Sequence, residues 1–118
     1  MKIEAKENLE TAAGEMHDSE FGHKDFRFDV GRKVFLLETH STEIPGKKFR
    51  LEIHNVEKYN PLNLGKVMEG EATAGVFNDI AMKDKGRKLV ILSQDLQIEL
   101  IITNLCAFFT IEQDVVKL

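Results

Sequence analysis

Lys88 to Glu112, KLVILSQDLQIELIITNLCAFFTIE, decides the fold. Leu96, Ile98, Leu100 and Ile102 alternate with Gln97, Glu99, Ile101 and Thr103, and Leu105, Ala107, Phe109 and Ile111 keep the same beat. Successive side chains of a strand point to opposite faces, so a two-residue period marks one buried face of a sheet. The stretch divides into strands at Leu89–Ser93, Leu96–Ile102 and Leu105–Glu112, with Ser93-Gln94-Asp95 turning between the first two. Thr103-Asn104 turns or bulges into the third. The rest of the chain should supply strands that pair with these and cover their apolar face.

Working backwards, Ala74–Met82 reads as a strand with Val76, Ile80 and Met82 on one face and Phe77 and Ala81 on the other. Asn78-Asp79 interrupts its pattern and predicts a bulge. Lys83-Asp84-Lys85-Gly86-Arg87 closes a hairpin onto Leu89. Lys58–Thr73, broken by Asn60-Pro61 and by Gly65 and Gly70, is expected to be an irregular loop. It is longer than most connections, and such loops are often functional. Its Tyr59, Leu62, Leu64 and Met68 either cap one end of the sheet or offer an apolar surface to a partner.

Lys48–Glu57 alternates Phe49, Leu51 and Ile53 with Arg50, Glu52 and His54, which predicts a strand backed by solvent. The turn before it, Glu43–Lys47, should place Pro45 and Gly46 at its two central positions. Phe26, Phe28 and Val30 alternate with acids and Arg27, so Glu20–Val30 is expected as one strand. It turns at Val30-Gly31-Arg32-Lys33, with Gly31 available for positive φ. The return strand Val34–His40 is apolar on both faces at its start and should be central. Residues 2–13, KIEAKENLETAA, form the expected short N-terminal helix, ended by Gly14 as its C′ residue. The expected fold is therefore mainly β: a single domain over residues 1–118, an antiparallel β-sandwich or strongly curved sheet of seven to eight strands. No βαβ spacing or internal repeat is present.

Composition narrows the function classes. A chain of 118 residues can bury roughly two-thirds of its unfolded surface. The net charge of −4 and the interleaving of Arg27, Arg32, Lys33, Lys47, Lys48 and Arg50 with acids argue against nucleic acid as a partner. The one cysteine, Cys106, excludes an internal disulfide, and no basic residue lies near it to favour a thiolate. MKIEAKENLE lacks the apolar core of a signal peptide, and no apolar run approaches the ~20 residues of a membrane span. A cytoplasmic location with no membrane partner is the expectation.

Few residues are arranged for chemistry. His17, His23, His40 and His54 with Asp18 are the conceivable metal set, but their spacing matches no compact ligand pair, and no metal or cofactor is expected. No serine lies in a nucleophile-elbow pattern, the glycines are spread singly, and the carboxylate pairs are what twenty acids produce by chance. No catalytic residue is assigned. Met16-His17-Asp18-Ser19-Glu20 does stand out; Asp18 or Ser19 can bond the backbone where helix passes into strand, and His17 can bridge to a neighbouring strand, making a structural junction.

The motif His17-Asp18-Ser19, the Phe26/Phe28 strand and the strand Leu51-Glu52-Ile53-His54-Asn55-Val56 together resemble a group of small bacterial proteins. These carry a short His-Asp-Ser or His-Asp-Ala motif ahead of a strand meander, and some are immunity proteins of polymorphic toxin systems. The group often has an aromatic residue where this chain has Met16. The resemblance implies a non-enzymatic module that binds and blocks a partner protein, such as a toxin. An acidic inhibitor suits a basic partner, with Glu52, Glu57, Glu69 and Glu71 beside Tyr59, Leu62, Leu64 and Met68 as the expected contact residues. The rival readings are a small-molecule-binding or enzymatic β-barrel with its mouth at residues 58–73, and a homodimer formed through an edge strand or the Tyr59–Met68 loop.

Overall fold

The structure, a computed structural model, describes residues 1–63, 75–94 and 96–114. It contains β1 (Lys2–Ile3), α1 (Lys6–Met16), β2 (Glu20–Phe21), β3 (Phe26–Asp29), β4 (Val34–His40), β5 (Lys47–Ile53) and β6 (Val56–Asn63). β7 (Gly75–Lys83), β8 (Lys88–Ser93), β9 (Leu96–Ile102) and β10 (Ala107–Gln113) follow. Every pairing is antiparallel. The strand order is β1-β10-β5-β4-β2-β7-β8-β9-β6, with β3 also on β4. Eight of the ten strands have four residues or more, and β1 and β2 are two-residue pieces.

The sheet has two flanks. One is β1-β10-β5-β4 with β3; the other is β7-β8-β9-β6. Glu20 of β2 joins them, opposite His40 of β4 on one side and Val76 of β7 on the other. Phe35, Leu37, Leu51 and Ile53 from the first flank meet Leu89, Ile91, Ile98 and Leu100 from the second in one core. β6 returns beside β3, where the Tyr59 ring lies 5.4 Å from that of Phe28. The two strands make no ladder there, so the sheet is strongly curved and is not a closed barrel.

Sequence logic and structure part at definite places. The helix begins at Lys6 because Lys2–Ile3 is drawn into pairing with Phe108 and Ala107, which buries Ile3 completely. Long-range pairing overrides helix propensity there. Gly14 lies inside the helix, and α1 ends at His17, whose ψ of 135° is extended. Leu9, Ala12, Ala13 and Met16 form its buried stripe, at the spacing of one helix face.

The predicted strand 20–30 is split by a turn in which the Gly22 N–H donates to Asp25 Oδ2 at 2.7 Å. In the next turn the left-handed residue is Lys33 (φ 56°), not Gly31. The predicted strand 48–57 breaks at His54-Asn55, where Asn55 takes φ 58°. The first part of the predicted loop 58–73 is strand: β6 carries Pro61 opposite Ile98. A proline cannot donate to a ladder, and β6 tolerates it as an edge strand. The bulge falls between Phe77 and Asp79. It shifts the alternation by one, so Phe77 and Ile80 share the core face instead of lying on opposite faces. β10 leaves β9 and crosses to the other flank; Ala107 and Phe109 stay buried, while Ile111 is exposed. Gly46 (φ 78°) closes the turn after Pro45, with the Lys47 N–H donating to the Ile44 carbonyl at 3.2 Å. Among the described residues no helix is long and apolar enough to cross a membrane.

Candidate functional site

The segment after α1 is fixed from three sides. Asp18 takes φ 67°, a left-handed conformation that a short polar side chain tolerates. Its N–H donates to the Phe77 carbonyl at 2.9 Å, and the Phe77 N–H donates to the Ser19 carbonyl at 2.8 Å. Ser19 is buried; its hydroxyl meets the Met16 carbonyl and lies 2.7 Å from the buried Thr39 hydroxyl on β4. His17 stays half-exposed, with Nδ1 2.9 Å from the Asn78 carbonyl and Nε2 3.4 Å from Asp18 Oδ1. The bulge on β7 is what presents the Asn78 carbonyl to the ring.

Two depressions meet at this junction. A cleft of about 290 Å³ lies between the end of α1 and the β4–β5 turn, edged by Glu15, His17, Asp18, Glu43 and Lys47. A shallower groove of about 470 Å³ lies between α1 and the β7–β8 hairpin, edged by Glu10, His17, Asp79 and Leu92. Both include Gly14. A Cβ built on Gly14 would meet nothing within 4 Å. Among the described residues five carboxylates therefore border the pair of depressions against the single ammonium of Lys47, which sits 5.4 Å over the Phe49 ring.

The sequence-predicted contact residues are dispersed. Tyr59 points inward against Phe28 and Phe35, and burial pushes its phenol above the ordinary value of 10.0. Leu62, in register with outward-facing Gln97, is exposed on the opposite face of β6. Glu52 lies on the outside of the other flank, 3.3 Å from His54, and Glu57 pairs with Lys33 at 3.1 Å. Leu64, Met68, Glu69 and Glu71 lie outside the described residues. His40 and His54 fall at opposite ends of the β4–β5 ladder, because Phe35 opposes Ile53 and His40 opposes Lys48. Among the described residues no three His, Cys, Asp or Glu side chains converge to hold a metal ion.

Glu10, Gly14, Glu15, Glu43, Lys47 and Asp79 were not legible as a group, because they come from α1, the β4–β5 turn and β7. The signal available was Gly14, whose place in a helix has no capping purpose. Together the fold and these depressions define an antiparallel β protein whose one α-helix, among the described residues, carries an acid-rimmed double groove. Compared with protein-family models, curated proteins and solved structures, the chain matches none of them.

Proposed function

We propose that this chain is a non-enzymatic protein-binding module of the inhibitory, immunity-type kind, and that it receives a basic segment of its partner in the grooves beside α1. The observation that carries this reading is Gly14. A glycine inside a helix costs about 1 kcal/mol relative to alanine. Its φ is not positive and no neighbour crowds its Cβ position, so neither backbone geometry nor packing within the chain requires it. What it leaves is room for close backbone approach where the two grooves join. The carboxylates around that room, on a chain of net charge −4, favour and accelerate encounter with a basic partner.

The test compares the wild-type chain, Gly14→Ala and Gly14→Leu as baits in lysate of the source cells. The expected result is one stoichiometric partner held by wild type, held more weakly by Gly14→Ala and lost from Gly14→Leu. Once freed from the chain, that partner is active, and adding the chain back silences it. Equal retention by all three baits, or a retained partner whose activity the chain leaves unchanged, overturns the proposal.

A further inference from the structure

Cross-strand neighbours share a face, and the register of the second flank builds a row of lysines on its outside. Lys83 of β7 stands directly opposite Lys88 of β8; Lys88 is opposite Ile101 of β9, and Ile101 is opposite Lys58 of β6. Leu89, Leu100 and Ile102, the sequence neighbours of this row, are buried, so the row points outward. With strands about 4.8 Å apart it spans about 14 Å. Lys85 and Arg87, both exposed in the β7–β8 turn, extend it. Among the described residues five cations thus stand against three carboxylates on this face: Asp84 in the turn, Asp79 of β7 and Glu99, which pairs with Lys88 at 3.3 Å.

This concentration works against the stability of the hairpin. Like charges directly opposite on a sheet repel, yet Lys83 and Lys88 are such a pair. Lys85 takes φ 58°, a conformation glycine adopts without penalty and lysine does not. Positions that break a local rule without structural gain are expected at functional surfaces. The rows next to the lysines are mixed: Ala81, Val90, Glu99 and Asn60 in the adjoining row, then Asp79, Leu92, Gln97 and Leu62 beyond it. Val90 is only 1% exposed, so the apolar contact surface of these rows is Leu62, which is exposed, and half-buried Leu92.

We propose that the outer face of β7-β8-β9-β6 docks an acidic, partly apolar segment of a partner protein. Its carboxylates pair with Lys58, Lys83 and Lys88, and its apolar side chains lie on Leu92 and Leu62. Charge complementarity selects the acidic partner. Nucleic acid fits less well, since the row offers neither an aromatic platform for bases nor more than a few phosphate contacts. A lipid surface fits less well too, because Leu62 is the one exposed apolar side chain of the two. The surface goes beyond the grooves beside α1, although Asp79 and Leu92 border both.

A fluorescein-labelled Glu-Leu repeat peptide tests this, with a Lys-Leu repeat peptide, a DNA duplex and phosphatidylserine vesicles as competitors. The Glu-Leu peptide is expected to bind in a salt-sensitive way, and Lys58→Glu with Lys83→Glu to weaken it about tenfold. The melting temperature should hold or rise, since Lys83→Glu sets a carboxylate across from Lys88. Absence of peptide binding, or indifference to the charge reversal, overturns the proposal. So does tighter binding of the duplex or the vesicles, or head-to-tail self-association that the same reversal abolishes.

Discussion

Ser19 and Thr39 hold their hydroxyl oxygens 2.7 Å apart inside the protein, and each side chain is almost wholly buried. Ser19 also meets the Met16 carbonyl. A serine hydroxyl has one proton, so it donates to that carbonyl and accepts from Thr39. The relay ties the end of α1 to β4. Removing one partner strands the other in an apolar interior, which costs about 1–3 kcal/mol. Ser19→Ala should therefore destabilise by that amount, and Thr39→Val by less, because Ser19 keeps its carbonyl. In urea denaturation the double variant should recover about 1 kcal/mol relative to the sum of the singles. Strict additivity would show that the two hydroxyls act independently.

Two glycines should respond to alanine with opposite signs. Gly14 has helical φ and open space, so Gly14→Ala should stabilise by about 0.5–1 kcal/mol through lower backbone entropy in the unfolded chain. Gly46 sits at φ 78°, where a Cβ is strained even though its nearest neighbour, Asp114 Cβ, would lie at a tolerable 3.4 Å. Gly46→Ala should cost about 1–2 kcal/mol. Thermal melts of the two variants decide this; a destabilised Gly14→Ala would mean that the helix is already strained at that point.

These elements also show what the sequence could and could not reveal. The β9 alternation, the hairpin from Phe26 to Leu37 and the Pro45-Gly46 turn were legible because each is local: period, turn chemistry and pattern all act within a few residues. The break at Asn55 was hidden, since asparagine enters the left-handed region without glycine's signature and the apolar run resumes at Val56. Pro61 read as a loop because its strand's edge position is a property of the whole sheet. The grooves were hidden for the same reason: Gly14, Glu43 and Asp79 converge only after α1 docks between the β4–β5 turn and β7.

Tyr59 gives the fold a stability dependence at alkaline pH. Burial raises its phenol above 10.0, so the folded chain holds the proton more tightly than the unfolded chain. Its contribution is complete below pH 10 and is lost as pH rises through the higher folded-state value. Tyr59 is the only tyrosine and there is no tryptophan, so phenolate absorbance reports this one group. The folded midpoint should lie above that of the urea-unfolded chain, and Tyr59→Phe should flatten the alkaline fall in stability. Coincident midpoints would place the ring in solvent rather than against Phe28 and Phe35.

Pro61 guards an edge. β6 ends the strand order, and among the described strands β9 is its single ladder partner. An exposed row of N–H and C=O groups invites pairing with another chain, and proline interrupts the row. Since proline cannot donate to β9, its ring nitrogen faces the unpaired side. Pro61→Thr would supply an N–H to that side and leave the β6–β9 ladder as it is. The variant should self-associate with rising concentration in sedimentation velocity, with a melting temperature close to wild type at low concentration. If Pro61→Thr keeps the wild-type mass and melts higher instead, the new N–H has joined the ladder with β9, and Lys58 and the twist of β6 protect the edge.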